Sequence, residues 1–198
     1  EAVDLALRIA RHATGGQGII VTRNAYHGTT AAVAEISPSL GVNNRIPASV
    51  ALVDAPDSVR GPGGDAAVVQ WVREIERAIA GFAEQGIPFA GMIVDSVLSS
   101  DGLRLDPAGF LARAAETVRA AGGLYIADEV QPGFGRTGDW WGFTRHGFVP
   151  DLVVLGKPMG NGVPISAVVG TRELFDAFGQ STRYFNTFAG NPVSIAAA

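Results

Sequence analysis

The stretch that decides the fold class is a short apolar run followed by a glycine-rich turn, Leu152-Val153-Val154-Leu155-Gly156-Lys157-Pro158-Met159-Gly160-Asn161-Gly162. Four consecutive apolar residues predict a strand that is buried on both faces, as in a parallel sheet covered by helices. Lys157 is the only lysine among the 15 basic residues, and it follows this strand. We expect it not to be a solvated surface residue, because partial burial favours the neutral amine that a Schiff-base nucleophile requires. The alternative is a lysine that forms a salt bridge or binds phosphate.

Apolar runs of the same kind recur along the whole chain. They lie at residues 18–21, 51–53, 92–94, 124–127 and 167–169. Apolar residues at helical spacing lie between them: Val3, Ala6, Leu7 and Ala10 in residues 1–13, and Val68, Val72, Ile75, Ile79 and Phe82 further on. A third helix is predicted to be capped by Asp106-Pro107 and to end at Gly122-Gly123. The alternation predicts one α/β domain over residues 1–198, a mostly parallel sheet flanked by helices.

Composition excludes several classes of function. The chain is 47% hydrophobic and 17% charged, which is enough for a sizeable core and indicates a surface partly covered by another subunit. A net charge of −4 without a basic stripe argues against nucleic-acid binding. The chain has no cysteine, and its three histidines are scattered, so no metal site is predicted.

Targeting and membrane signals are also lacking. The best candidate for a membrane span, residues 87–98, is interrupted by Asp95, so we expect no membrane association. No signal-peptide pattern is present, and the expected location is therefore cytoplasmic.

Polar residues follow several of the predicted strands at equivalent positions. Asp54, Asp95, Asp128 and Lys157 stand at or just beyond the ends of four apolar runs. In open parallel sheets, ligands bind along the carboxyl edge of the strands. A single aspartate there is commonly a turn or helix cap, but four such residues indicate a site.

Two kinds of site contain an acidic strand end and a Gly-Lys pair. A phosphate loop of an NTPase requires Gly-x-x-x-x-Gly-Lys-Ser/Thr, but Asp151 stands at the first glycine position and Pro158 replaces the hydroxyl residue. A pyridoxal-phosphate site requires a lysine for the Schiff base and a carboxylate beside the pyridine nitrogen. Lys157 and Asp128 suit those two roles, so the second interpretation is favoured.

Four motifs, in order, carry a resemblance to a known family. They are Asn24-Ala25-Tyr26-His27-Gly28; residues 128–138, Asp-Glu-Val-Gln-Pro-Gly-Phe-Gly-Arg-Thr-Gly; residues 156–162; and Asn186-Thr187-Phe188-Ala189-Gly190-Asn191-Pro192. Together they resemble the class III (ornithine and omega type) aminotransferases of pyridoxal-phosphate fold type I. The resemblance covers the chain from end to end, but only about the central half of a full-length member. We therefore expect a partial large cofactor domain, without the family's N-terminal segment and C-terminal small domain.

The resemblance also implies residue roles and partners. Lys157 would form the Schiff base with pyridoxal 5′-phosphate and act as general acid and base, and Asp128 would pair with the pyridinium nitrogen. Tyr26 and Val130 would contact opposite faces of the ring, Gln131 would reach its phenolic oxygen, and His27 would adjoin it. Thr187 would donate to the cofactor phosphate of the neighbouring subunit in a homodimer with shared active sites. The implied reaction is a ping-pong transfer of an amino group between an amine or amino acid and an oxo acid.

Two alternatives remain open at the level of sequence. The family usually has a glutamate where this chain has Asp95. The pair Asp95-Ser96, together with Gly156-Lys157-Pro158-Met159-Gly160-Asn161-Gly162, resembles the branch that includes amino-alcohol phosphate lyases. Those enzymes use the same cofactor but expel a leaving group, so elimination is the alternative reaction. The other alternative is a truncated, non-catalytic fragment, because the family's phosphate-binding loop and substrate-carboxylate arginine have no counterpart in residues 1–198.

Overall fold

The computed structural model describes all residues from 1 to 198 and contains one six-stranded sheet with helices on both faces. The strands are β1 (Gly18–Thr22), β2 (Val50–Val53), β3 (Phe89–Asp95), β4 (Leu124–Asp128), β5 (Leu152–Leu155) and β6 (Ala167–Gly170). The helices are α1 (Ala2–Thr14), α2 (Ala31–Ala34), α3 (Gly64–Glu84), α4 (Phe110–Ala120), α5 (Arg172–Ser181) and α6 (Pro192–Ala197). Every predicted strand is present within two or three residues of its expected limits.

The strand order is β2-β1-β3-β4-β5-β6, and all neighbours are parallel except β5 and β6. The prediction of a mostly parallel sheet is confirmed. The chain moves outward from β1 to β2 and then returns to the other side of β1 to form β3. The loops that follow β1 and β3 therefore diverge, which opens a crevice at the carboxyl edge between these two strands.

Successive strand residues alternate between two hydrophobic cores. In β4, Ile126 belongs to the core beneath α1 and α5, whereas Tyr125 and Ala127 belong to the core beneath α3 and α4. In β1, Ile19 and Ile20 divide in the same way. Because side chains along a strand point to opposite faces, a sheet covered on both sides requires the unbroken apolar runs seen in the sequence.

Helix α1 covers one face with the apolar stripe predicted from its sequence, and it ends at Gly15, whose φ of 68° is the left-handed conformation common after a helix. The start of α4 differs from the prediction. The helix begins at Phe110 with Gly109 as its N-cap, and Asp106-Pro107 lies in the turn before it. Asp106 instead forms an ion pair with Arg145 (2.9 Å), and the helix has no side-chain cap at its N-terminus.

A buried histidine ties the start of α4 to the segment before β5. His146 is almost completely buried, lies edge-on against Phe110, and accepts a hydrogen bond at Nδ1 from the backbone N–H of Gly109 (3.2 Å). Burial, together with the nearby charge of Arg145, lowers the pKa of His146 from 6.5 to about 4. Neutral His146 is therefore part of the packed core.

The fold should become less stable as the pH is lowered, because His146 is buried in its neutral form. Between pH 6.5 and 4 the unfolded chain binds a proton on this histidine while the folded chain does not, so acidification favours unfolding, by about 3 kcal/mol at pH 4 and below. We expect His146→Phe to flatten the free energy of unfolding in this window, as measured by urea denaturation at several pH values. The parent chain, measured at the same pH values, provides the reference slope. An equal slope in the His146 variant would contradict the assignment.

Candidate functional site

The crevice at the carboxyl edge of the sheet contains a cavity of about 240 Å³. Its walls come from the segments that follow β1, β3, β4 and β5. The lining residues are Tyr26, His27, Gly28, Asp95, Ser99, Ser100, Asp128, Val130, Gln131 and Lys157. Six of the seven site residues predicted from the sequence therefore line one cavity, and the seventh, Thr187, does not.

The centre of the cavity wall is a buried pair formed by Asp128 and His27. Asp128 ends β4, and its Oδ2 lies 2.6 Å from His27 Nδ1. The other carboxylate oxygen, Oδ1, accepts the backbone N–H of Val130 (3.0 Å). Both side chains are more than nine-tenths buried. A carboxylate out of water requires such partners, because an uncompensated buried charge is costly.

His27 is held in place from behind by a serine. The Ser37 hydroxyl accepts the backbone N–H of His27 (3.0 Å) and donates to the carbonyl of Val33 (2.8 Å). The second ring nitrogen, His27 Nε2, is buried without a hydrogen-bond partner. The loop after β1 thus fixes the imidazole with one nitrogen committed to Asp128. Sequence reasoning placed His27 beside the ring without a defined role, because its partner Asp128 lies 101 residues away in the chain.

Lys157 reaches the cavity from the segment that follows β5. Its Nζ donates to the Gln131 Oε1 at 3.1 Å, which joins two of the predicted residues directly. The expectation that Lys157 is shielded from water is wrong, since the residue is exposed. The reason is geometric: β5 ends at Leu155, and a 3₁₀ turn that starts at Lys157 (φ 40°) carries the side chain to the open side of the cavity.

Tyr26 and Val130 lie on the cavity wall with different degrees of burial. Tyr26 is 44% exposed, so one side of its ring is free to meet a ligand. Val130 is partly buried and packs on the core beneath α1. It also lies over Gly156, where an added Cβ would be 3.3 Å from a Val130 methyl group. The absence of a side chain at Gly156 lets β5 end directly beside Val130.

Asp95 lies in register with Asp128 on the neighbouring strand β3. Its oxygens accept the backbone N–H groups of Val97 (3.0 Å) and Ser99 (3.1 Å), and also the Ser99 hydroxyl. Burial raises the pKa of Asp95, and the nearby Asp128 carboxylate adds to this effect, while the hydrogen bonds oppose it. Asp95 therefore caps the turn that carries Ser99 and Ser100 into the cavity wall.

Two residues singled out from the sequence lie away from the cavity. Asp54 is at the same edge of the sheet, at the end of β2, but it forms an exposed ion pair with Arg23 (2.5 Å). Thr187 is exposed in the turn before α6 and does not line the cavity. The proposed role of Thr187 toward a neighbouring subunit stays a prediction.

Glu129 is a buried acid that sequence reasoning did not single out. Its side chain is fully buried, with Oε2 accepting the backbone N–H of Gly142 (2.7 Å) and Oε1 that of Phe143 (3.0 Å). Burial raises the pKa of Glu129. The alternation of side chains along a strand could have predicted its position, because the residue after Asp128 faces the opposite side of the sheet.

The comparisons with known proteins agree with this geometry. The family model described as "Aminotransferase class-III" matches residues 1–198. The chain belongs to the class III aminotransferase family. Its relatives include the "Alanine--glyoxylate aminotransferase 2-like" protein of Drosophila melanogaster, which is 40% identical over all of this chain and 42% of its own length. The chain thus spans less than half the length of this relative.

Solved structures show the same fold. A phospholyase from Arthrobacter in complex with phosphoethanolamine is 45% identical, with a TM-score of 0.93 over 99% of this chain and 47% of the other. A PLP-bound amine transaminase from an uncultivated Pseudomonas species is 29% identical, with a TM-score of 0.88 over 99% of this chain and 48% of the other. These similarities confirm the predicted fold, which is that of the large domain of pyridoxal-phosphate enzymes of fold type I.

The buried pair should contribute strongly to stability. We expect His27→Ala to lower the free energy of unfolding by about 3 kcal/mol at pH 7, because Asp128 then remains as a buried carboxylate without its partner. Chemical denaturation would measure this change, with His12→Ala as the matched control at an exposed histidine. Adding Asp128→Asn to His27→Ala should recover part of the loss, because the unpaired charge is removed. If the double variant is as unstable as the sum of the single variants, the pair is not coupled.

Proposed function

We propose that this chain is the cofactor-binding domain of a pyridoxal-phosphate-dependent aminotransferase, which moves an amino group between an amine or amino acid and an oxo acid by a ping-pong mechanism. The observation that carries the proposal is that the lone lysine and a buried carboxylate line the same cavity. Lys157 is hydrogen-bonded to Gln131, and Asp128 is hydrogen-bonded to His27. Family membership supports the same reaction class.

The residues present fit pyridoxal phosphate. The cavity, at about 240 Å³, is slightly smaller than the roughly 300–1,000 Å³ pockets of drug-sized ligands and suits one substituted ring. A buried carboxylate can hold a ring N–H, an amine can react with an aldehyde, and a carboxamide can donate to a phenolic oxygen. An exposed aromatic face at Tyr26 and an aliphatic surface at Val130 suit a flat ring.

Each side chain then has a defined task. When bound, the cofactor supplies an electron-withdrawing ring that stabilises negative charge at the substrate α-carbon. Asp128 keeps a cationic ring nitrogen charged, and His27 orients the Asp128 carboxylate through the 2.6 Å contact. Lys157 Nζ would provide the nucleophile that holds the cofactor aldehyde. Once the substrate amine has displaced it, the free Nζ would take the substrate α-proton as general base and return it as general acid. Gln131 holds the Lys157 amine at the mouth of the cavity until it reacts.

The first test is reductive labelling of the chain. Incubation with pyridoxal phosphate and then borohydride should attach one pyridoxyl group to Lys157, because the chain has no other lysine. Peptide mapping separates this product from any reaction at the N-terminal amine. Lys157→Ala should abolish the labelling, and Asp128→Asn should weaken cofactor affinity about ten- to a hundredfold, because a hydrogen bond to a charged group contributes about 1.5–3 kcal/mol.

The outcomes separate an enzyme domain from a non-catalytic fragment. Glu116→Gln, on the exposed side of α4, should label like the parent chain. No labelling of Lys157 in a folded chain, as judged by circular dichroism, would contradict the cofactor assignment for residues 1–198 and favour the truncated, non-catalytic alternative.

A second reaction is favoured by a specific observation. This chain is 45% identical to a phospholyase whose structure was solved in complex with phosphoethanolamine, and the two structures superpose with a TM-score of 0.93. We therefore retain elimination from a phosphorylated amino alcohol as the alternative function. In that reaction Lys157 would still take a proton, and the bond to the leaving phosphate would break.

Product analysis distinguishes the two reactions. With phosphoethanolamine and water, elimination releases inorganic phosphate, ammonia and acetaldehyde and leaves the cofactor in its aldehyde form. Transfer from an amino acid instead converts the cofactor to pyridoxamine phosphate in a half-reaction, which an absorbance spectrum detects. We expect the amine form to accumulate with an amino donor and without an acceptor. Release of phosphate and ammonia in equal amounts would overturn aminotransfer in favour of elimination.

We further propose a homodimer with shared active sites. Support comes from Thr187, which is exposed outside the cavity of its own chain, and from its neighbours Phe185 and Phe188, which are 73% and 78% exposed. Large aromatic side chains of this kind favour a protein interface. Sedimentation analysis should give a dimer that Phe188→Ser weakens, whereas a monomeric parent chain would contradict the proposal. The cytoplasmic location expected from the sequence likewise stays a prediction.

A further inference from the structure

The loop of residues 130–141, called the 130–141 loop below, carries two cavity residues and is closed at both ends by hydrogen bonds. At its start, the backbone N–H of Gly133 donates to the carbonyl of Glu129 (2.9 Å). At its end, the Glu129 carboxylate accepts the backbone N–H groups of Gly142 and Phe143 (2.7 and 3.0 Å). One residue, Glu129, therefore binds both ends of the loop.

Close packing shows how little freedom this closure leaves. A Cβ added at Gly142 would lie 2.7 Å from the Cβ of Pro132 and 3.3 Å from the Glu129 Oε1. The backbone at Gly142 therefore packs closely against Pro132 and against the Glu129 carboxylate. No cation lies within ion-pair distance of the Glu129 carboxylate. The backbone N–H groups of Gly142 and Phe143 donate to both oxygens of the carboxylate, so the carboxylate and the loop closure depend on each other.

A second contact holds the cavity residue Gln131 from outside. Arg136, an exposed residue within the loop, donates from Nε to the backbone carbonyl of Gln131 (2.9 Å). The Gln131 side chain in turn accepts from Lys157 Nζ (3.1 Å). The backbone of Gln131 is therefore fixed by Arg136 on one side of the turn, while its carboxamide meets the reactive amine on the other.

We infer that Glu129 and Arg136 are positioning residues, which hold the 130–141 loop so that the Gln131 carboxamide meets the Lys157 amine. They contact neither the cavity nor the amine themselves, and they act through Gln131. The inference rests on the proposed function only for the chemical role of Lys157. The geometric coupling from Glu129 and Arg136 to the amine can be measured without cofactor.

The lone lysine provides the measurement. In the cofactor-free chain, the rate of acetylation of Lys157 by an N-hydroxysuccinimide ester reports how far the amine is restrained by Gln131. Peptide mass spectrometry follows Lys157 separately from the N-terminal amine. Gln131→Ala should raise the rate about three- to fivefold, as expected for loss of a hydrogen bond worth about 1 kcal/mol. Glu129→Gln and Arg136→Ala should each raise it by a similar factor.

Double variants test whether the effect passes through Gln131. Arg136→Ala combined with Gln131→Ala should react no faster than Gln131→Ala alone, because the restraint is already lost. Asp57→Asn is the matched control for Glu129, since Asp57 also accepts two backbone N–H groups in a loop away from the cavity. Arg113→Ala is the control for Arg136, because its side chain bonds only to the surface residue Glu116. Both controls should acetylate at the parent rate.

Parent-like acetylation in Arg136→Ala, with a faster rate in Gln131→Ala, would overturn the inference for Arg136, as would additive effects in the double variant. A parent-like acetylation rate in Glu129→Gln, with a faster rate in Gln131→Ala, would overturn the inference for Glu129. If Glu129→Gln does not fold, Arg136→Ala decides alone, since it removes an exposed side chain. Failure of reductive labelling at Lys157 would refute the proposed function and leave the acetylation result standing. The two failures are therefore distinguishable.

Discussion

The structure depends on the burial of two adjacent acids, Asp128 and Glu129, at the end of the central strand β4. A carboxylate removed from water is unfavourable by several kcal/mol unless hydrogen bonds and charge compensate it. Here the compensating groups come from distant parts of the chain: the imidazole of His27 for Asp128, and the amides of Gly142 and Phe143 for Glu129. The segment after β1 that carries His27 and the 130–141 loop that leads to Gly142 also supply residues that line the cavity.

The alternation of side chains along a strand assigns the two acids different tasks. Asp128 continues the side of β4 to which Ile126 belongs, the side on which Val33 and Ile36 pack near His27. Glu129 continues the side of Tyr125 and Ala127, where Phe143 is part of the same core. One acid therefore faces the site and the other faces the supporting loop. Two neighbouring residues of like charge are tolerated because the sheet separates them.

Sequence reasoning reached the fold and named as site residues six of the ten that line the cavity, but it did not reach their contacts. Unbroken apolar runs such as 124–127 are local signals, and a sheet covered on both faces requires them, so the strands were predictable. Lys157 was identifiable because it is unique and follows a strand. The partner of Asp128 lies 101 residues away, and the ligands of Glu129 are backbone amides, which carry no side-chain signal. Only the folded chain brings those groups together.

The exposure of Lys157 and the rigidity of its surroundings are complementary. An amine that attacks an incoming aldehyde must be reachable, and the 3₁₀ turn after β5 places Lys157 on the open side of the cavity. A long flexible side chain in water would lose much of its reactive geometry to rotamer freedom. The hydrogen bond to Gln131 restricts that freedom at a single point. Gln131 lies in the 130–141 loop, which Glu129 closes through its hydrogen bonds to Gly142 and Phe143. Glu129 therefore supports the position of the Lys157 amine through Gln131, without lining the cavity itself.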